Sequence, residues 1–135
     1  MLNPNIEIKK WFYTNLVSAT SLSVYDGFSP EGAGNEYIIL EGRTSSQEQG
    51  KDGYTNAITI IVDIVTKNAN FGYKRAETIS NLILAAINSD TTITLSNGFT
   101  SSSLSVESVR NLDALNPIDN VFRTIITYNI IITQN

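Results

Sequence analysis

The sequence predicts an α+β fold: an antiparallel β-sheet packed by two helices in a single domain. Two long stretches alternate apolar and polar residues with period two, Ile58 to Thr66 and Phe122 to Thr133, as strands with one buried face do. Two others, near residues 4–18 and 73–88, repeat apolar residues at helical spacing. The length of 135 residues suits one domain, which buries about two thirds of the surface its unfolded chain exposes.

Asn3 is a candidate N-cap with Pro4 at the first helical position, where its missing N–H costs nothing. Ile8, Trp11, Phe12, Leu16 and Ala19 then share one face of a first helix over 4–18, with Tyr13 pointing outward. Leu22 to Tyr25 reads as a short strand. Asp26-Gly27 and Ser29-Pro30-Glu31-Gly32 supply turn chemistry. In the strand Glu36 to Gly42, Ile38, Ile39 and Leu40 are consecutive, which predicts cover on both faces. The run 42–53 contains no apolar anchor and is expected to be a mobile loop.

Ile58, Ile60, Val62 and Ile64 define one face of the next strand, Tyr54 to Thr66. After a turn at 68–72, the second helix over 73–88 presents Ala76, Ile79, Leu82, Ile83, Ala86 and Ile87 as its apolar face. Thr91 to Leu95 and Phe99 to Ser103 flank Asn97-Gly98, a two-residue hairpin signal. Leu104, Val106 and Val109 extend that strand, and 113–119 with Asn116-Pro117 reads as a loop. The closing strand sets Phe122, Thr124, Ile126, Tyr128, Ile130 and Ile132 on one face. A chain end so rich in Ile belongs inside a sheet, because exposed it would template aggregation.

Composition narrows the function. Hydrophobic residues reach 41%, enough for a core, while charged residues are only 16%, below the roughly 25% usual in globular proteins. Lean charge fits surfaces that end up against other subunits, and it equally fits an AT-rich genome. The net charge of −4 speaks against a broad nucleic-acid-binding face. No basic-then-apolar leader and no run of transmembrane length is present, so a soluble protein made in a cytoplasm is expected, with no membrane partner.

The chain contains neither histidine nor cysteine, which removes the commonest general base, thiolate nucleophiles and the commonest metal ligands. Gly32-Ala33-Gly34 and Gly50-Lys51-Asp52-Gly53 lack the ending of a phosphate-binding loop. Asp26, Glu31, Glu36, Glu41, Glu48 and Asp52 are clustered in sequence without calcium-loop spacing, and scattered acids ordinarily keep a surface wet. No enzyme, no catalytic or metal residue and no cofactor is expected.

Val24-Tyr25-Asp26-Gly27, Pro30-Glu31-Gly32-Ala33 and Tyr37-Ile38-Ile39-Leu40 resemble the opening of the tail completion, or tail terminator, proteins of tailed bacteriophages. The 44–52 segment, the strand Ile58 to Val65, the helix with Ala76, Ile79 and Ile83, Leu104-Ser105-Val106-Glu107 to Arg110, Asp119, and Phe122 to Thr133 continue the likeness. The resemblance implies a ring-forming subunit, commonly a hexamer with a dodecamer as the other stoichiometry. Such a ring sits at the head-proximal end of the tail in the virion, after assembly in the host cytoplasm. It would stop tail-tube growth, contact the tube protein and the connector, neck or portal proteins, and let DNA pass through its lumen without specific binding. Arg43, Glu48, Lys51 and Asp52 are then candidate interface or lumen residues. Two other readings stay open: a head–tail connector or neck-ring protein docking on the portal, and a carbohydrate-binding module using Tyr37, Tyr54 and Tyr128.

Overall fold

The computed structural model describes residues 4–28, 30–50, 53–67, 73–91, 93–96, 98–112 and 121–134; the side chains of 44–50, 53, 54, 102 and 134 are left aside. The elements follow as α1 (Pro4–Thr20), β1 (Val24–Asp26), β2 (Glu36–Gly50), β3 (Gly53–Thr66), α2 (Lys74–Ala86), β4 (Phe99–Leu112) and β5 (Phe122–Gln134). The strands form one sheet in the order β1-β2-β3-β5-β4. β1 runs parallel to β2, and every other neighbouring pair is antiparallel, so the sheet is mixed rather than purely antiparallel.

Both helices lie on one face of the sheet. α1 packs over β1, β2 and β3, α2 over β3 and β5, and the helices touch each other. The alternation in β3 and β5 dictates this. Ile58, Ile60, Val62 and Ile64 on β3 and Ile126, Tyr128, Ile130 and Ile132 on β5 are all at most 1% exposed. Pairing in rows such as Ile58↔Ile130, Ile60↔Tyr128 and Val62↔Ile126 turns them into a continuous apolar floor. Each such side chain contributes about 1.5–3 kcal/mol when buried. Ile8, Phe12 and Leu16 from α1, and Ala76, Ile79 and Ile83 from α2, close the core from above. Phe12 meets Tyr128 at a centroid distance of 5.3 Å and Trp11 at 5.2 Å, so the aromatic run of α1 serves the core while Tyr13 faces out.

α1 ends where Ser21 takes a left-handed φ of 59° and donates its N–H to the Val17 carbonyl. Gly27, at φ 80°, ends β1 after donating to the Leu40 carbonyl. α2 stops at Ile87, which is extended, and the Asn88 side-chain amide donates to the carbonyls of Leu84 and Ala85, which lack helical partners.

The structure corrects several expectations. The face of α2 is rotated: Leu82 is 45% exposed and Ala86 is exposed, while Ser80 is buried with its hydroxyl on the Glu77 carbonyl. Ser80 can replace an apolar residue there because that bond satisfies its oxygen. The hairpin expected around Asn97-Gly98 does not form. Phe99 does donate to the Ser96 carbonyl and Gly98 has φ 80°, but the described residues before the turn join no ladder. Ile93 is buried and Leu95 packs on the core, while β4 pairs with β5 instead. Long-range pairing along an Ile-rich strand outweighs a local turn preference. Asn97 and the loop expected at 113–119 lie outside the described residues, as does the turn at 68–72.

Candidate functional site

The run expected as a loop at 42–53 is strand nearly throughout. β2 continues past Gly42 to Gly50, shifts register once between Thr44 and Ser46, and pairs with β3 up to Gly50↔Gly53. The ladder supplies the anchor that the polar side chains do not: β3 is held on its other side by β5 down to Tyr54↔Gln134, so β2 needs only backbone partners to stay in line. Two glycines with two residues between them, Gly50 and Gly53, were the signal available for a tight reversal.

Among the candidate interface residues, Arg43 is exposed and its Nη2 lies 3.4 Å from the Glu41 carboxylate. Glu48 pairs with Thr55 through its backbone, and its side chain is outside the described residues, as are Lys51 and Asp52 altogether. The structure therefore places Arg43 and the Glu48 backbone on one strand.

Of the carboxylates clustered in sequence, the described ones have separate partners or face solvent. Asp26 accepts from Lys9 Nζ at 3.1 Å, tying β1 to α1. Glu36 pairs with Arg75 and ties β2 to α2. Glu31 stands in an exposed turn. Among the described residues no group of three acids, histidines or cysteines could hold a metal ion. No described helix is long and apolar enough to cross a membrane.

An ion pair missed by sequence reasoning lies on the sheet face away from the helices. Arg123 of β5 pairs with Asp63 of β3, its Nε at 3.2 Å from Oδ1 and its Nη2 on Oδ2. Its direct neighbour pairs are Asp63↔Ile125 and Val65↔Arg123, so the two charges meet diagonally. The hydrogen bond to Asp63 is the largest influence raising the Arg123 pKa. Asp63 alternating with Ile61 and Val65 was the trace in the sequence, but its partner sits 60 residues away. Around it, Tyr37 is 4% exposed with Lys67 Nζ 5.3 Å above its ring, and Val65 and Ile125 are also buried.

Tyr37 and Tyr128 therefore offer no ring to a sugar. Tyr128 is wholly buried beneath the helices, donating its hydroxyl to the Ile87 carbonyl at 2.8 Å. Tyr54's side chain is outside the described residues. That correction removes two of the three aromatics on which a carbohydrate-binding reading stood.

Of the open grooves that border the helices, two lie beside the edge strands. One of about 440 Å³ runs between α1 and β1 beside Ile6, Tyr13 and Val24; another of about 320 Å³ lies between α2 and β4 beside Leu84, Val109 and Arg110. The first groove contains one carboxylate, Asp26, already held by Lys9, and neither groove pairs a nucleophile with a base. Large apolar side chains are exposed on α1 (Ile6, Tyr13), after β1 (Phe28), on α2 (Leu82), on the edge strand β4 (Val106, Val109) and on β5 (Ile131).

No protein-family model matches the chain, and no curated protein matches its sequence. Comparison with solved structures finds a chain of the virion of a native gene transfer agent (GTA) particle, with a TM-score of 0.78. The match is full length. It covers 98% of this chain and 99% of the other at 14% sequence identity, so what it shows is a shared fold. That shared fold includes the sheet and both helices rather than a local motif.

Proposed function

We propose that the protein is a structural component of a phage-like virion: a tail terminator whose subunits form a ring at the head-proximal end of the tail. The observation that carries this reading is the full-length fold match to a chain of a gene transfer agent virion. The resemblance of the Val24–Leu40 and Leu104–Arg110 segments to tail completion proteins supports the finer assignment. The physical character of the chain agrees with it. Charges are sparse and several of them are spent on intramolecular pairs, apolar side chains are exposed, and the long strand β2 runs well past its short neighbour β1.

In this role the protein works by surfaces. A six-fold ring would stop tube growth by covering the last ring of tube subunits, and would offer its other side to the connector. The net charge of −4 suits a conduit, because a lumen rich in Lys and Arg would hold phosphates and slow the passage of DNA.

The test is removal of the gene from the particle that encodes it. Tails of uncontrolled length accumulating apart from DNA-filled heads are expected, with joining restored by added purified protein. Heads that lack a neck while tails keep their normal length would instead favour the connector reading. Complete infectious particles would reject a virion role.

A further inference from the structure

Two free backbone edges bound the sheet. β4 has a single partner, β5, so its other edge is open along Phe99–Leu112 among the described residues. On the opposite side β1 covers only Ile38, Ile39 and Leu40 of β2. From Glu41 to Gly50 the outer edge of β2 faces no described strand. Open edges present rows of unpaired N–H and C=O groups, and proteins ordinarily blunt them with charge, proline, bulges or cover. β4 has register shifts at Ser101/Ser103 and Val106/Ser108, yet Thr100 to Ser105 carries no charge and no proline.

The two edges are matched in direction. β2, β3, β5 and β4 alternate strictly, so β2 and β4 run opposite ways. A second copy rotated about an axis along the strands would set its β2 antiparallel to β4 of the first. Head-to-tail contacts of this kind join unlike surfaces and generate rings when the rotation closes.

The edges are also matched in level. Arg43 shares its row with Thr59, Asn129 and Ser105, and Gln49 shares its row with Tyr54, Gln134 and Phe99. The uncovered half of β2 thus stands level with the Phe99–Ser105 half of β4. The charges agree: Arg43 is exposed at one edge, and Glu107, two residues beyond Ser105, is exposed at the other.

We infer that a second copy of this chain completes the sheet, β4 Phe99–Glu107 of one subunit pairing antiparallel with β2 Arg43–Gly50 of the next. β1 covers Ile38–Leu40 of the β2 edge, so subunits join through the Arg43–Gly50 stretch of that strand. This inference rests on the ring reading above, which supplies the head-to-tail neighbour.

The chain has no cysteine, so introduced thiols report only the designed contact. Arg43→Cys is combined in turn with Ser103→Cys, Ser105→Cys and Glu107→Cys, which spans two residues of register either way. Within one subunit the two edges are three strand spacings apart, about 14 Å, too far for a disulfide that needs Cα atoms within about 7 Å. Each oxidised variant is resolved on a non-reducing gel beside native mass spectrometry of the same sample.

The expected result is a covalent ladder from at least one double variant, ending at the assembly's own subunit number, with the single variants uncrosslinked. Amide exchange at 43–50 and 99–107 should slow by about tenfold or more on assembly. Assemblies without a ladder and with unchanged exchange at both segments overturn the edge pairing and leave the ring reading standing. Covalent dimers from a single-cysteine variant show two-fold pairing and overturn the head-to-tail arrangement. A protein that stays monomeric and uncrosslinked at all concentrations overturns both.

Discussion

Replacing Tyr128 with Phe removes one oxygen from the centre of the protein and leaves the ring in place. The hydroxyl donates to the Ile87 carbonyl at 2.8 Å, and both residues are 0% exposed. Ile87 is the residue at which α2 ends, so its carbonyl has no helical partner. Stranding a buried acceptor costs about 1–3 kcal/mol, and the ring's contact with Phe12 is kept. For a domain of this size that lowers Tm by about 3–12 °C at fixed protein concentration. Urea unfolding should show a lower midpoint with an unchanged slope. Burial also holds the Tyr128 hydroxyl well above the usual tyrosine range. The unfolded chain releases that proton near pH 10 while the folded chain retains it, so the associated stability is complete below about pH 10 and lost as pH rises beyond it. The gap between wild type and Tyr128→Phe should therefore narrow in alkali. A variant melting within 1 °C of wild type (taken as about the resolution of the assay) would refute the reasoning, by showing that the bond does not hold α2 to the sheet.

Ile83→Asp should unfold the domain, since it puts an unpaired charge at a site 0% exposed, whereas Leu82→Asp should change stability by no more than about 0.5 kcal/mol; paired denaturation curves check the rotated face of α2. Asp63→Ala should cost about 1–3 kcal/mol by leaving the half-buried Arg123 without its buried partner, against almost nothing for Arg43→Ala at an exposed pair, as urea titration will read. Replacing 44–52 by a Gly-Ser segment of the same length, which can still span the strand length from Arg43 to Gly53, should leave a cooperatively folded monomer but abolish rings, seen by a melting curve beside native mass spectrometry; an unfolded protein or normal rings would contradict it.

The legible part of the fold was what period-two burial writes directly. Ile58 to Ile64 and Ile126 to Ile132 alternate because one face meets the helices, and both faces were predicted correctly. The helix bodies were legible from the same kind of pattern, although α2's exact face was not, because Ser80 is buried by a hydrogen bond that hydrophobicity does not reveal. What escaped depends on partners distant in sequence. The 42–50 run looks like loop by its side chains and becomes strand because β3, itself braced by β5, presents a backbone ladder. The Asn97-Gly98 signal failed because β4 gained more from β5 than from the preceding segment. Of the four candidate interface residues, Arg43 is exposed on a free strand edge, Glu48 contributes a described backbone, and Lys51 and Asp52 lie outside the described residues.

A ring subunit is known most directly by the mass and shape of the purified protein. Native mass spectrometry with electron microscopy, over a concentration series and with isolated tail tubes added, is predicted to show closed rings with a central opening, six-fold by preference, seated on one end of each tube. A protein that remains monomeric throughout, or that decorates tubes along their sides and leaves the ends bare, would contradict it.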